Sequence, residues 1–256
     1  MKRAAALFVA LATLPALSQD RCAVPDNLSR VDGKGKCLVI LTTQPAEKKS
    51  DTLVVWIHGD VSRGGPADYM AGYARRQSEG LGVTTVVLLR PGYEDRNGNR
   101  SAGSNHGRRD SYTEENVDAV ASALANLKKH HGAKKLLVIG HSGGAAITAA
   151  TLGRHPGIVD VAYLIACPCN IGAWQPQWYM SVSPITVADK VPPSSRVYAF
   201  TGARDSNTGA GLAKEFVSAV SKHGVPAEFQ EIPEQGHDFN PKIAEFISPA
   251  VEKEIK

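Results

Sequence analysis

The sequence has few aromatic residues and few cysteines, and neither basic nor acidic residues dominate its charge. Aromatic residues make up 6% of the 256 residues, and there are four cysteines. Basic residues number 29 against 25 acidic ones and are scattered without interleaved aromatics, so nucleic-acid binding is not expected. The sequence contains no phosphate-binding loop, dinucleotide fingerprint or metal-ligand spacing. We therefore expect neither a cofactor nor a metal site.

The first residues have the plan of a secretory signal. A short basic start precedes an apolar run of about a dozen residues and a site of small residues. Ala16 and Ser18 suit the positions before a cleavage, which predicts a signal peptide over residues 1–18 and a single domain over 19–256. The apolar run is shorter than the ~18 residues that a spanning helix needs, so no membrane anchor is expected. A periplasmic or secreted protein follows from this interpretation.

Export gives the cysteines a structural meaning, because disulfides persist outside the cytosol. Cys22 and Cys37 flank a short polar stretch and are expected to bridge an opening hairpin. Cys167 and Cys169 lie in "ACPCN", where two sulfurs without a nearby histidine offer too few ligands for zinc. A strained disulfide and a free pair both remain possible there, and the disulfide is favoured. Since four cysteines allow three pairings, the sequence does not decide among them.

Short segments rich in Val, Ile and Leu alternate with amphipathic ones. The predicted strands are 36–43, 52–59, 83–90, 134–140, 158–166, 195–202 and 227–233. The predicted helices are 66–80, 114–131, 143–154, 208–223 and 240–255. The central strands are apolar on both faces, which favours an α/β fold: a doubly wound, mostly parallel sheet of about eight strands with helices on both faces. Residues 167–194 show little periodicity and predict a rim segment, a minimal cap.

A serine between glycines is the first candidate for chemistry. The Gly-x-Ser-x-Gly pattern is short enough to occur by chance, but here "LLVIG" precedes Ser142 and "AAITAATL" follows it. A strand, a sharp turn and a helix are what a nucleophile elbow requires. The alternative is an ordinary glycine turn between a strand and a helix. If Ser142 is a nucleophile, its weakly nucleophilic hydroxyl needs a base within hydrogen-bond reach.

Three histidines follow Ser142 in the chain, and one of them suits the role of base. His155 and His223 each end a predicted helix, where a solvated side chain is expected. His237 lies in the loop "PEQGHDF", just after a predicted strand. Since sites on open α/β sheets form at the carboxyl ends of strands, His237 is the predicted base.

The base needs an acid to orient it, and Asp205 is the best placed candidate. It follows a predicted strand in "TGARDSN", at the carboxyl end. Asp160 begins a strand and so belongs to the opposite edge of the sheet, whereas Asp238 is adjacent to the base itself. Asp189 lies in the irregular segment and remains an alternative. We expect Asp205 to hold His237 in one tautomer and to stabilise the imidazolium.

Backbone N–H groups would stabilise the oxyanion of an acyl-transfer reaction. Gly143, directly after the nucleophile, supplies one N–H by its position. The second is expected from Asp60 or Val61 in the loop "HGDVSRGG". A carboxylate at Asp60 would oppose the oxyanion, so we expect it to point away, towards Arg63. His58 is interpreted as a packed anchor of this loop.

Taken together, these motifs resemble the α/β-hydrolase superfamily. The motifs are "HGD" (58–60), "RPGY" (90–93), "GHSGG" (140–144), "GARD" (202–205) and "GHDF" (236–239), in that superfamily's order. The segment 183–239 is similar to prolyl-oligopeptidase-like and dienelactone-hydrolase-like serine hydrolases. The resemblance implies that Ser142 attacks a carbonyl and that water activated by His237 releases the acyl group. It does not distinguish esters from amides. The chain departs from the oligopeptidases in having no propeller domain, and its rim is too short for a full helical cap.

The residues around the predicted site do not name a substrate. Arg108 and Arg109 could receive an anionic group or form a solvated basic loop, and the solvated loop is preferred. Trp174, Trp178 and Tyr179 could form an apolar wall of the site or a small satellite core. Neither observation distinguishes one acyl group from another.

Three functions remain, in order of preference. The first is a secreted carboxylic ester hydrolase that acts on a small-molecule acyl substrate. The second is a serine peptidase or amidase of prolyl-oligopeptidase-like type. The third is a non-catalytic binding protein with this fold, which the intact set of Ser142, Asp205 and His237 disfavours. The small domain and open rim favour the esterase over the peptidase.

Overall fold

The structure, a computed structural model, describes Cys22 and residues 24–255. The predicted signal peptide, residues 1–18, lies outside them. The strands in the described part are β1 (Arg30–Gly33), β2 (Lys36–Thr43), β3 (Thr52–Ile57), β4 (Thr84–Leu88), β5 (Lys135–His141), β6 (Val161–Ile165), β7 (Arg196–Gly202) and β8 (Ala227–Ile232). The α-helices there are α1 (Ala71–Leu81), α2 (Glu114–His130), α3 (Gly143–Arg154), α4 (Ile171–Trp174), α5 (Ala210–Lys222) and α6 (Pro241–Ile255). None of these helices is both long and apolar enough to cross a membrane.

All eight of these strands join one sheet in the order β1-β2-β4-β3-β5-β6-β7-β8. The pairs β1–β2 and β2–β4 are antiparallel, and every pair from β4 to β8 is parallel. The carboxyl ends of the parallel strands consequently lie on the same side of the sheet, where the loops that follow them meet. This confirms the predicted mostly parallel sheet.

Two apolar layers cover the sheet, one on each face. In β3, Leu53 and Ile57 pack with residues of α2, α3 and α5, whereas Val54 and Trp56 pack with residues of α1 and α6. This alternation is the period of two that a strand imposes. Because both faces are buried, the central strands are apolar at nearly every position, and the helices on both faces are confirmed.

The first helix begins later than predicted. The pattern predicts a helix over 66–80, but α1 begins at Ala71. The preceding residues bind a neighbouring loop instead: the Ala67 N–H donates to the Glu94 carbonyl at 2.8 Å, and Asp68 accepts a 2.7 Å hydrogen bond from Arg96. These contacts place the turn before α1 beside the ends of β3 and β4.

The segment after β6 holds the second disulfide and little regular structure. Cys167 and Cys169 are bonded to each other and are fully buried. The four-residue α4 and a 3-10 turn at Pro184–Lys190 follow. This is too little helix to form a lid, in agreement with the minimal cap that the sequence predicts.

The outer edge of the sheet is β8, which pairs with β7 alone. Glu228 and Glu231 of this strand are exposed, whereas Ile232 is buried at its end. The edge strand therefore carries acidic side chains into solvent.

A hairpin closed by a disulfide forms the other edge. Lys34 and Gly35, between β1 and β2, both have positive φ, as a tight two-residue hairpin turn of the I′ type requires. Cys22 is bonded to Cys37 of β2, 15 residues along the chain. The bridge thus ties the segment before β1 to a strand of the sheet.

Replacing Cys22 and Cys37 together with serine should lower the melting temperature. A closed loop of about 15 residues contributes on the order of 3 kcal/mol by restricting the unfolded chain. For a protein of this size that corresponds to a fall of about 10 °C, measured by differential scanning calorimetry without reductant. Reductant should shift the wild-type Tm in the same direction but leave the double variant almost unchanged. Two free thiols at these positions in the wild type would refute the bridge.

Candidate active site

Ser142 occupies the sharp turn between β5 and α3. Its φ is 52° and its ψ is −118°, a combination that residues other than glycine seldom adopt. The Ser142 N–H donates to the Ile165 carbonyl at 2.8 Å, and the Ser142 carbonyl accepts from the Ala146 N–H at 3.0 Å. Neighbouring backbone therefore holds the strained turn from both sides, as is typical of nucleophile elbows.

The glycines that flank Ser142 let α3 lie directly against the strands. A Cβ at Gly140 would come within 2.7 Å of the Ala145 Cα atom. A Cβ at Gly144 would collide with the carbonyl oxygens of Ile57 and His58. Any larger side chain at either position would push the helix, and Ser142 with it, away from the end of β3.

The structure brings Ser142, His237 and Asp205 together, although they lie far apart in the chain. His237, in the loop between β8 and α6, places Nε2 2.9 Å from the Ser142 Oγ. Its Nδ1 lies 2.9 Å from Oδ2 of Asp205, in the loop after β7. A carboxylate accepts only, so Nδ1 carries the proton and Nε2 is free to accept the serine proton. Such an arrangement can turn a hydroxyl into a nucleophile.

The carboxylate of Asp205 is held by its own loop. Its Oδ1 accepts the backbone N–H groups of Asn207 and Thr208, each at 2.9 Å. Burial raises the pKa of Asp205, but the hydrogen bonds from His237 and Thr208 outweigh it and lower this pKa to about 2. Asp205 is therefore an anion at neutral pH. Nothing in the local sequence marks Thr208, whose hydroxyl also lies 3.1 Å from His237 Nδ1.

The carboxylate of Asp60 lies beside Gly143, and its partner differs from the expected one. A Cβ at Gly143 would collide with the Asp60 Oδ1 atom. This oxygen accepts from Arg90 Nη2 at 2.7 Å, while Oδ2 accepts from the Tyr112 hydroxyl at 2.5 Å. The predicted interaction with Arg63 is wrong, and so is the expectation that the carboxylate points away from Gly143. Arg90 follows β4, the parallel neighbour of β3, so the two strand ends bring the charges together.

Arg90 also anchors the loop that follows β3. Its side chain is only 1% exposed, and Nη2 donates a second hydrogen bond to the Gly59 carbonyl at 2.9 Å. Its backbone N–H donates to His58 Nε2 at 3.0 Å. Burial, together with the charge of Arg90, holds the pKa of His58 well below its usual range. His58 is thus a neutral, packed member of the loop.

Val61, one of the two expected oxyanion donors, has an unusual backbone conformation. Its φ is 47°, which is rare for a β-branched residue. Arg108 holds the loop in this shape by donating to the Val61 carbonyl at 2.7 Å and to the Gly65 carbonyl at 3.1 Å. The guanidinium of Arg108 is therefore engaged with backbone, whereas Arg109 is exposed.

The aromatic residues of the rim form a ladder on Tyr112. The rings of Trp174 and Trp178 meet edge to face at 5.0 Å, and Trp178 meets Tyr112 at 5.5 Å. Trp174 Nε1 donates to the Asn207 carbonyl in the loop that follows Asp205. Both tryptophans are half-buried against the core, and Tyr179 is 87% exposed. These three rings thus extend from the loop after Asp205 to Tyr112, whose hydroxyl binds Asp60.

Two more side chains of the site escaped sequence reasoning. His141 Nδ1 lies 2.7 Å from the Tyr69 hydroxyl, and His141 Nε2 lies 2.8 Å from the His237 carbonyl oxygen. His141 lies inside the "GHSGG" motif, and its place next to Ser142 is the sequence feature that could have indicated it. Tyr69 lies in the segment 66–80, which the pattern predicts as a helix. Among the residues that the structure describes, no group of three or more His, Cys, Asp or Glu side chains could hold a metal ion.

Solved structures share this architecture at low sequence identity. One is Est1E from Butyrivibrio proteoclasticus with bound ferulic acid, at 16% identity and a TM-score of 0.66, covering 88% of this chain and 96% of that one. A proline iminopeptidase from Mycobacterium smegmatis aligns at 13% identity and a TM-score of 0.65, over 88% and 96%. The esterase domain of a Rhodothermus marinus protein aligns at 15% identity and a TM-score of 0.61, over 88% and 95%. At such identities the likeness establishes the fold alone.

The sequence itself matches a family model. No curated protein sequence matches significantly. The model of the alpha/beta hydrolase family, however, matches residues 54–249, which is well over half of the chain. That range runs from β3 to α6 and includes Ser142, Asp205 and His237. The resemblance drawn from the sequence is therefore confirmed, and the chain belongs to the alpha/beta hydrolase family.

Proposed function

We propose that this hydrolase is a serine carboxylic ester hydrolase that works through an acyl-enzyme on Ser142. The unbroken contact from Ser142 through His237 to Asp205, at 2.9 Å for each step, carries this proposal. The proposed roles are nucleophile, general base and orienting acid, in that order. The same contact disfavours a non-catalytic binding protein, which would have no use for an activated hydroxyl.

The proton moves within this set during the reaction. As Ser142 Oγ bonds to the substrate carbonyl carbon, His237 Nε2 takes its proton, and the carbonyl π electrons pass to oxygen. Collapse of that oxyanion breaks the ester C–O bond, and His237 returns the proton to the leaving alcohol. Water then repeats the sequence on the acyl-enzyme, releasing the carboxylic acid and restoring Ser142. Asp205 remains an anion throughout and stabilises the imidazolium.

The oxyanion would be bound by backbone N–H groups near the start of α3. Gly143 supplies one by its position after the nucleophile, and Asp60 or Val61 supplies the other from the loop after β3. The negative charge of Asp60 would oppose an oxyanion at this place. The buried ion pair with Arg90 and the hydrogen bond from Tyr112 offset that charge, so the loop can still serve as a donor.

An ester substrate is proposed in preference to a peptide with a free amine terminus. The Asp60 carboxylate beside Gly143 is already bound by Arg90 and Tyr112, so it is not free to bind a substrate ammonium group. The likeness to Est1E with ferulic acid and to an esterase domain supports the same choice. The likeness to a proline iminopeptidase keeps a peptidase as the second candidate. We propose that Trp178 and Tyr179 of the rim contact an apolar acyl group of the substrate.

The protein is proposed to act outside the cytosol. Both cysteine pairs are disulfide-bonded, which is typical of oxidising compartments. This agrees with the signal peptide predicted over residues 1–18 and with a mature domain of residues 19–256. A periplasmic or secreted hydrolase of small acyl substrates is the resulting proposal.

Ser142→Ala should abolish turnover of 4-nitrophenyl acetate. Removal of a triad serine lowers kcat by on the order of 10⁶-fold in such enzymes, which here means activity at the background rate. The variant should also lose labelling by a fluorophosphonate, while its Tm changes little because only one hydroxyl is removed. Mass spectrometry of the labelled wild type should place the adduct on Ser142.

Ser206→Ala is the matched control, because Ser206 is an exposed serine next to Asp205. It should retain both the labelling and the rate of the wild type. Turnover by Ser142→Ala at the wild-type rate, or an adduct on another residue, would overturn the proposal. Hydrolysis of aminoacyl 4-nitroanilides in preference to esters would instead favour the peptidase.

The stability conferred by Asp205 should depend on pH in a defined direction. Its pKa is about 2 in the folded protein and about 3.9 in an unfolded chain. The ionised carboxylate therefore contributes on the order of 2 kcal/mol above pH 4, and this contribution is lost as the pH falls through 2. The difference in free energy of unfolding between wild type and Asp205→Asn should shrink steadily from pH 5 to pH 3. Urea titrations measure it.

The exposed Asp189 provides the comparison for this measurement. Asp189→Asn should change the free energy of unfolding little at any pH. A difference for Asp205→Asn that stays constant between pH 5 and pH 3 would contradict the proposed role of this carboxylate.

A further inference from the structure

Tyr69 and His141 have no part in the acyl transfer just described, yet they contact both halves of the site. The Gly59 N–H donates to the Tyr69 hydroxyl oxygen at 2.7 Å. That oxygen lies 2.7 Å from His141 Nδ1, and His141 Nε2 lies 2.8 Å from the His237 carbonyl oxygen. One continuous line of hydrogen bonds thus runs from the loop after β3 to the loop that carries the base.

Of the two neutral tautomers of His141, only one completes this line. The Tyr69 oxygen already accepts from Gly59, so its single proton is available for His141 Nδ1. His141 is then neutral with its proton on Nε2, which donates to the His237 carbonyl. The opposite tautomer would place an unprotonated nitrogen against that carbonyl oxygen and leave both without a proton.

The surroundings of His141 favour this neutral form. The side chain is buried, with the residue only 6% exposed. Burial, followed by the influence of the nearby His237, lowers the pKa of His141 to about 4. Burial also raises the pKa of Tyr69, which keeps its hydroxyl protonated. Both side chains therefore hold the protons that the line requires across the neutral range.

This line of hydrogen bonds passes Gly59, where the loop after β3 packs closely against Ser142. A Cβ at Gly59 would lie 3.1 Å from Ser142 Cβ, 3.2 Å from the Tyr69 oxygen and 3.3 Å from His141 Nδ1. His141 directly precedes the nucleophile in the chain. The imidazole thus lies between the elbow, the loop after β3 and the loop that carries His237.

We infer that Tyr69 and His141 are positioning residues. They fix the loop after β3 and the loop that carries His237 in their relative positions around Ser142. The inference deepens the proposed function and rests on it. Neither residue touches the reacting atoms. Each acts through another residue: Tyr69 through the Gly59 N–H beside the oxyanion donors, and His141 through the backbone of His237. A misplacement of about 1 Å in such a site can cost on the order of 100-fold in rate.

Tyr69→Phe removes the central hydroxyl while keeping the ring, and Tyr73→Phe, four residues further along the chain, is its control. Tyr73 packs its ring on Phe239, with ring centroids 5.1 Å apart. With 4-nitrophenyl acetate as substrate, Tyr69→Phe should lower kcat by about 10- to 100-fold and change KM by less than about twofold. It should also shift the pH at which the rate is half-maximal away from the wild-type value. Tyr73→Phe should match the wild type in all three. Equal kinetics for the two variants would overturn the inference.

A second pair of variants separates positioning from general stability. His141→Gln keeps an acceptor and a donor at this place, whereas His141→Leu removes both. Greater activity in the glutamine variant than in the leucine variant, at equal Tm, is expected. Activities that follow the Tm of each variant alone would show a merely structural role.

Nuclear magnetic resonance tests the line without using activity. Nitrogen-15 spectra of the wild type at pH 7 should show His141 as the Nε2–H tautomer; a charged ring or the Nδ1–H tautomer would overturn the inference. The low-field proton of His237 Nδ1 should move in Tyr69→Phe and stay in place in Tyr73→Phe, and an unchanged resonance in Tyr69→Phe would also overturn it. These spectra test the hydrogen bonds even if the wild type hydrolyses no ester. The absence of ester hydrolysis would count against the proposed function and not against the positioning role of Tyr69 and His141.

Discussion

The close approach of α3 to the ends of β3 and β5 is the constraint on which the rest of the site depends. Gly140 and Gly144 permit it, because a side chain at either position would meet backbone atoms of the neighbouring segment. The approach leaves so little room that the chain must turn sharply at Ser142, with positive φ. The same contact places the first N–H of the helix next to the loop after β3. The proposed nucleophile and the proposed anion-binding backbone thus arise from one packing requirement.

Parts of the site could be predicted because their signals are local. Ser142 is marked by a strand, two glycines and a helix, and His237 by its place in a loop after a strand. The partner of Asp60 could not be found in this way. Arg63 is near in sequence, but Arg90, 30 residues away, is near in space because β4 lies beside β3. Strand order in the sheet decides that pairing, and local sequence does not encode strand order.

The positions of Tyr69 and His141 show a second limit of the same kind. The amphipathic pattern of 66–80 extends the helix over Tyr69, whereas hydrogen bonds to the loop after β4 hold residues 67 and 68 outside it. His141 lies within a recognised motif, but motifs of this type specify the glycines and the serine and leave the intervening residue open. Its contacts with Tyr69 and His237 depend on three separate segments that only the folded chain brings together.

The acidic edge strand has a consequence for the protein in crowded surroundings. The outer side of β8 offers backbone groups that a strand of another molecule could pair with. Two copies that met at this edge would bring Glu228 of each into a shared, partly dehydrated seam, whereas Glu231 already pairs with Lys214 at 3.6 Å. Like charges in such a seam repel, so ribbon-like stacking of copies is disfavoured. An edge of this kind lowers the tendency of the folded protein to associate through β8 when it is concentrated.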